Sequence, residues 1–276
     1  MSSLEALAQP LTLRCGAVIK NRIGKSAMSE ALATADNRPT DLLVNLYDAW
    51  AQGGTGLVIT GNIMVDRLAL GEPGNVAIED ERDLARLKQW AEVGSRQDTQ
   101  LWVQLNHPGK QSPNMVTKQP VAPSAIPLEA RFSRYFNPPR ELNEADIHDI
   151  IQRFARAAAV VKQAGFGGVQ IHGAHGYLVS QFLSPHHNQR TDQWGGSLQN
   201  RARFVMEIYR AIREQVGAEF PVSIKLNSAD FQRGGFTEEE SMAVVEMLDQ
   251  AGMDLIEISG GNYENPNMTG KNVKVS

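Results

Sequence analysis

The sequence predicts an α/β fold with a parallel sheet curled as a (β/α)8 TIM barrel, and three observations carry that reading. Short apolar runs alternate with amphipathic segments of helical period, the pattern of parallel strands joined by helical crossovers. Polar or ionisable residues stand at the C-terminal end of nearly every apolar run: Ser29, Asn62, Gln104, His172, Lys225 and Ser259. A barrel draws its site from many strand ends, whereas a doubly wound sheet gathers it at one switch point. No Gly-x-Gly-x-x-Gly follows an early strand, which weighs against a Rossmann unit.

The elements follow in order. Residues 11–19 read as a short hairpin ahead of the first barrel strand, 23–28. The further strands are expected at 57–60, 101–105, 169–172, 222–226 and 255–259, each a short apolar run between turn signals. Helices are expected at 41–52, 82–97, 145–164, 197–216 and 238–251. The third follows Asn143-Glu144-Ala145-Asp146, a helix cap, and ends at Gly165. The fourth ends at Gly217. The fifth starts from Thr237 with Glu240 three residues on, a capping box, and ends at Gly252. The long interval, 106–143, is rich in Pro, Ser and Gln, and a loop of that length after a strand reads as a functional lid.

Residues 1–276 read as a single domain with no clean internal boundary. Six strands use nearly all of the chain, whereas the barrel needs eight, and two more units would take roughly 60–100 further residues. The end, 262–276, reads as a loop. The sequence is therefore expected to be an incomplete barrel, cut short of its last two units.

Composition narrows the function. With 42% hydrophobic and 21% charged residues the chain is ordinary globular protein. Twenty-seven basic against 31 acidic residues, with no dense basic block, argue against nucleic acid or an anionic membrane as the main partner. No apolar stretch approaches the ~18 residues a membrane span needs. The N-terminus lacks the basic start and apolar core of a signal peptide, so a cytoplasmic setting is expected. Cys15 is the lone cysteine, which excludes disulfides within these residues and a cysteine-ligated cluster.

The run Ile171-His172-Gly173-Ala174-His175-Gly176-Tyr177 is the most telling. It delivers two imidazoles and a phenol at the end of a buried strand, where His suits proton transfer or the polarising of an oxygen. His172 and His175 read as a neutral hydrogen-bonding pair. As a metal pair they would want a third ligand. His186, His187 and Asp192 lie nearest without a recognisable spacing, and no metal site is assigned. Two satisfied structural histidines are the bland alternative, and Tyr177 by itself reads equally as core. Lys225, in Val222-Ser223-Ile224-Lys225-Leu226-Asn227, is costly to bury unpaired; it can hold an anion, serve as a Schiff-base amine, or reach solvent. Gln104 offers donor and acceptor suited to a heteroaromatic edge, or else bonds backbone. Arg190, Asp192, Asn200, Arg201 and Arg203 read mainly as local pairing and capping of the fourth helix.

Taken together these motifs resemble the Old Yellow Enzyme family of FMN-dependent NAD(P)H:flavin oxidoreductases. The resemblance rests on Ile171–Leu178, then Gln181-Phe182-Leu183-Ser184-Pro185, Arg190-Thr191-Asp192, Gly195-Gly196-Ser197-Leu198 and Asn200-Arg201-Ala202-Arg203-Phe204. Asn21-Arg22-Ile23, Gln104-Leu105 with His107 and Gly109, and Glu257-Ile258-Ser259-Gly260-Gly261 support it, so it runs the length of the chain to the family's sixth strand.

The resemblance implies an FMN barrel in which Ala27, Met28 and Ser29 line the flavin. Gly61 would sit near its pyrimidine end, Gln104 would bond the ring, and Lys225 would lie by N1/O2. It makes His172 and His175 the pair that binds a substrate carbonyl oxygen, and Tyr177 the proton donor. The implied reaction is ping-pong: NADH or NADPH reduces the flavin, which then reduces the activated C=C of an α,β-unsaturated carbonyl compound, a small enone-type molecule. Ala27 stands where the family usually has Pro, and Lys225 where Arg is common. The iron–sulfur branch is excluded by the single cysteine, and the seventh and eighth strands, which hold the FMN phosphate, are not in the sequence. Two alternatives remain at this point: a lysine-dependent barrel lyase or aldolase using Lys225, and an inactive fragment unable to retain FMN. Open sheet edges predict association, of which a homo-oligomer is one form.

Overall fold

A computed structural model describes residues 3–265. The part of the expected terminal loop at 266–276 lies outside the described residues. The barrel strands are β1 (Gly24–Lys25), β2 (Leu57–Ile59), β3 (Gln100–Asn106), β4 (Gly168–Gly173), β5 (Val222–Asn227) and β6 (Leu255–Ser259). They form one sheet in the order β1-β2-β3-β4-β5-β6, every neighbouring pair parallel. The crossovers are α1 (Asp41–Gln52), α2 (Leu84–Gly94), α3 (Glu144–Ala164), α4 (Leu198–Val216) and α5 (Glu238–Ala251). This is the expected barrel architecture, with six barrel strands among the described residues and free edges at β1 and β6.

Strand alternation sorts the side chains. Val103, Leu105, Val169, Ile171, Ile224 and Leu226 join one core with Phe154 of α3 and Phe204 of α4, and Phe204 stacks on Phe182 at 4.1 Å. The intervening residues Trp102, Gln104, Gln170, His172, Ser223 and Lys225 point to the inside and are all buried. The sheet curls far enough for inward side chains of its two edges to touch, since Ser26 Oγ donates to Glu257 Oε1 at 2.5 Å. The hairpin, Leu11–Thr12 against Val18–Ile19, closes the floor, where Leu13 and Ile19 pack with Leu57, Ile59 and Trp102. Gly168 makes room for that floor: a Cβ there would lie 2.9 Å from the Trp102 ring.

Helix ends follow the sequence closely. Asn143 Oδ1 accepts from the Asp146 N–H at 2.9 Å and Asp146 returns the bond, while Thr237 and Glu240 repeat the box on α5. Each cap stabilises its helix by about 1 kcal/mol. Two expectations are corrected. The 82–97 helix is α2 flanked by two 3-10 turns, because Gln97 and Asp98 take positive φ of 57° and 55° and end the helical path. The first strand shrinks to two residues, since the three-residue β2 offers it two register partners, Gly24↔Leu57 and Lys25↔Val58. A helix at Leu178–Leu183 and a strand at Ile63–Met64 pairing the end of β3 were not expected.

The long loop is packed rather than loose. It carries 3-10 turns at Gly109–Gln111 and Ala130–Phe132, and a parallel pair of two-residue strands, Val121–Ala122 with Arg140–Glu141. Arg190 ties its middle to its end, donating to the carbonyls of Pro123 (2.9 Å) and Leu142 (2.6 Å) while pairing with Asp192. The Arg190–Arg203 stretch is thus structural: Arg201, buried, binds Glu240 and the Leu183 carbonyl, and Arg203 holds the Gln193 carbonyl.

Candidate active site

At the C-terminal ends of the strands, Ala27, Ser29, Asn62, Gln104, His172, His175, Tyr177 and Lys225 line one cavity of ≈ 110 Å³. Seven of these were singled out from sequence as site candidates, and they come from β1, β3, β4 and β5, or just after them. Met28 points out to solvent and does not line the cavity. Gly61 is also outside the lining; its N–H donates to Glu30 Oε1 (3.0 Å) and Tyr47 Oη (3.1 Å). A larger cavity of ≈ 290 Å³ lies lower, between β1 and β6, lined mainly by Leu57, Ile59, Leu255, Ile256 and the stems around Lys25. It lacks the histidines and the phenol, which the smaller cavity brings together.

The His172–Tyr177 run is shaped by its turn. β4 places His172 inward. His175 then adopts left-handed φ of 61°, an uncommon state for a residue with a Cβ. The Asn227 amide oxygen accepts its N–H at 3.1 Å, and its carbonyl accepts from Gln111 Nε2 at 2.9 Å. The two imidazoles end 5.1 Å apart at 82°, and the Tyr177 ring stands edge-on to His172 at 4.7 Å.

Burial drives the protonation states. The His172 pKa is pushed well below the usual imidazole value by burial, with His175 and Lys225 adding to the effect. His175 falls to about 4 for burial first and Lys225 second, against the pull of Glu257. Both rings are neutral at pH 7. The Ala174 N–H donates to His172 Nδ1 at 3.4 Å, which assigns the proton to Nε2 as a donor. His175 Nε2 lies 2.7 Å from Ser259 Oγ. The Tyr177 hydroxyl, raised well above the ordinary phenol by burial and by Tyr263, stays protonated.

Below the imidazoles runs a polar chain that sequence reasoning found in part. Gln104 Nε2 donates to Gln170 Oε1 (2.8 Å), and Gln170 Nε2 to Glu257 Oε2 (2.9 Å). Glu257 Oε1 meets Lys225 Nζ at 3.0 Å, and Lys225 also donates to Ser26 Oγ at 2.7 Å. Burial would raise the Glu257 carboxyl, yet the Ser26 hydroxyl, the Lys225 charge and the Gln170 amide outweigh it and hold it below its ordinary value. Gln170, Ser26 and Tyr263 were missed. The signal for Gln170 was its place two residues before His172 on one strand, hence the same inward face. Ser26 and Tyr263 reach the site through the curl of the sheet, which has no local sequence signature.

The metal alternative is not assembled. His186 and His187 group with Glu264 rather than with the His172–His175 pair, and Asp192 is taken by Arg190. At His187 Nδ1 stands the Lys110 ammonium, 3.0 Å away, where a metal-bound imidazole wants an acceptor. The lyase alternative loses its nucleophile, since Lys225 Nζ is committed to Glu257 and Ser26.

Fold and site define a class: the α/β-barrel oxidoreductases of the Old Yellow Enzyme type. The structure matches an old yellow enzyme homologue from Zymomonas mobilis with a TM-score of 0.83 at 24% identity, over 95% of this chain and 77% of that one. It matches morphinone reductase at 0.82 and 29% identity, over 92% and 71%. The model of the NADH:flavin oxidoreductase / NADH oxidase family matches residues 6–271, and the chain belongs to that family. An NADH-dependent flavin oxidoreductase, iliE, of Hypocrea jecorina (strain QM6a) is 40% identical over 97% of this chain and 71% of its own length. Coverage of longer relatives is smaller: the chain spans 38% of a Thermoanaerobacter brockii NADH oxidase, to which it is 39% identical. No helix among the described residues is long and apolar enough to cross a membrane.

FMN is the cofactor of this family, with a nicotinamide as reductant. The donor set fits the ring of such a cofactor: an amide at Gln104, a cation at Lys225 and a hydroxyl at Ser29 face one cavity beside two neutral imidazoles. Ser26, Met28 and Ser29, just after β1, are exposed.

Proposed function

We propose that this chain uses NADH or NADPH and FMN to reduce the activated C=C bond of an α,β-unsaturated carbonyl compound. The observation that supports it most is the convergence of a neutral His pair and a protonated buried phenol on the cavity that also holds Gln104 and Lys225. Gln104, Lys225 and Ser29 would hold the flavin ring, with Ala27 beside it and the backbone at Met28 and Gly61 shaping its edge. Bound flavin would supply the hydride. The chain's own residues do the rest. His172, through its Nε2–H, and His175 grip the carbonyl oxygen, and their hydrogen bonds strengthen as charge develops there, which lowers the barrier rather than merely tightening binding. Because both rings stay neutral, they polarise the oxygen without delivering a proton to it. Tyr177 O–H donates to the α-carbon.

The loop 106–143 would set substrate size as a lid over the cavity. Its Phe132 and Phe136 meet edge-to-face at 6.4 Å, and Phe136 meets Tyr263 at 6.0 Å, a wall suited to a hydrophobic enone. The test is anaerobic stopped-flow with the FMN-loaded chain: NADH should bleach the flavin, and 2-cyclohexen-1-one should then restore its colour with formation of cyclohexanone. Bleaching that no enone reverses would refute the substrate class.

A further inference from the structure

Tyr177 is buried, with 8% of its surface exposed, and its hydroxyl meets the hydroxyl of Tyr263 at 3.0 Å. The two rings stand edge-to-face at 5.9 Å. Tyr263 is half-buried, so it spans the distance from the enclosed phenol to solvent. Its placement is built rather than incidental. Gln111 from the long loop accepts the Tyr263 N–H at 3.5 Å while its Nε2 holds the His175 carbonyl at 2.9 Å, so one amide ties the phenol to the histidine turn. Phe136 flanks the ring on its other side. No sequence motif had marked this residue.

We propose that Tyr263 is a positioning residue that resupplies the proton Tyr177 gives to substrate, a two-phenol relay between the cavity and water. This rests on the reading of Tyr177 as proton donor. As the Tyr177 O–H breaks, a C–H bond forms at the substrate α-carbon. The Tyr263 O–H then breaks and a new O–H forms on Tyr177, and the Tyr263 oxygen takes a proton from solvent. Over a turnover the substrate gains the hydride that came from NAD(P)H and one proton from water. Either hydroxyl can donate across the 3.0 Å contact; when the Tyr263 O–H donates to the Tyr177 oxygen, the Tyr177 proton is free to face the cavity and the phenolate formed there is stabilised. Burial also raises Tyr177 further than Tyr263, so the negative charge rests more easily on the outer ring.

The test compares Tyr177→Phe and Tyr263→Phe, which keep both rings. In FMN-loaded protein, Tyr263→Phe should slow reoxidation by 2-cyclohexen-1-one roughly ten- to hundredfold relative to reduction by NADH, the effect of one hydrogen bond to a charged group on a rate. The proton inventory in H2O/D2O mixtures should be curved for the wild type and linear for Tyr263→Phe. A second readout needs no flavin. In protein labelled with 13Cζ-tyrosine, the first ionisation of the pair should lie below that of the tyrosine left in either variant, because a shared proton stabilises the first phenolate. Slowing by Tyr177→Phe with an unchanged rate ratio in Tyr263→Phe, or independent ionisations, would overturn the relay and leave the donor role standing. No slowing by Tyr177→Phe would overturn the donor reading itself.

Discussion

Lys225→Met removes the cation from the polar chain under the cavity, and its consequence can be worked from the structure. The Lys225 side chain is 5% exposed and the Glu257 side chain 26%. Breaking a fully buried pair by deleting one partner costs about 3–5 kcal/mol, much of it from the charge left behind. Glu257 keeps Ser26 and Gln170 and some water, so the expected loss is about 2 kcal/mol, below that range. Methionine fills the stem's volume, which keeps packing out of the result. The double variant Lys225→Met/Glu257→Gln deletes the stranded charge, and it should recover about 1 kcal/mol of the loss. The sign of the pH dependence follows from the depressed Glu257 carboxyl. Its contribution is present above the unfolded value near 4.5 and is lost as pH falls through the lower folded value. The gap between wild type and Lys225→Met should therefore be full at pH 7 and shrink below pH 4.5. Urea denaturation followed by tryptophan fluorescence measures it. A Lys225→Met chain within 0.5 kcal/mol of wild type at pH 7, or a double variant no more stable than the single, would refute the claim that the ion pair holds this chain of side chains together; the 0.5 kcal/mol bound is about the scatter of neutral surface changes.

Three further outcomes are expected. Tyr177→Phe should slow enone reduction roughly 10²–10⁴-fold, the range for loss of a general acid, while NADH still bleaches the flavin; equal loss in both half-reactions, read by stopped-flow absorbance, would count against the donor role. Gly61→Ala would place a Cβ 2.2 Å from Glu30 Oε2 and 2.5 Å from the Met28 carbonyl, so thermal unfolding should show a destabilisation of about 1–3 kcal/mol, and an unshifted midpoint would mean the β1–β2 ends are free to move. His175 titrates near pH 4 when folded and near 6.5 when unfolded, so stability should be complete above pH 6.5 and fall between 6.5 and 4 as the unfolded chain takes up protons. His175→Asn should flatten that fall, which equilibrium unfolding at a series of pH values would detect.

Much of the architecture was legible because it is local. Capping boxes at Asn143 and Thr237 and the period of apolar residues define helices wherever they sit, and the runs at β3, β4, β5 and β6 are buried strands by their apolar content alone. The candidate site was legible where its residues sit at strand ends: Gln104, His172, His175, Tyr177 and Lys225 all announce themselves as ionisable or polar groups at the close of apolar runs. The short helix at Leu178–Leu183 was not, because six residues, under two turns, are too few to establish a helical period. The two-residue β1 was overestimated because apolar content does not reveal how many partners a neighbouring strand can offer.

By itself the sequence determined the parallel barrel class, the strand-end placement of the His pair and phenol, and the resemblance that family membership bears out, since each rests on order along the chain. The tertiary structure decided what those groups touch. Curl of the sheet brings Ser26, just after the first strand, to Glu257 of the sixth, and Glu257 in turn commits Lys225 to an ion pair. Burial, a property of the whole packed chain, keeps both histidines neutral. The turn at His175, the Gln111 amide and the segment after β6 bring Tyr263, 86 residues away in sequence, to 3.0 Å from Tyr177. Distances of that kind come from closing loops in three dimensions, and no local pattern of residues encodes them.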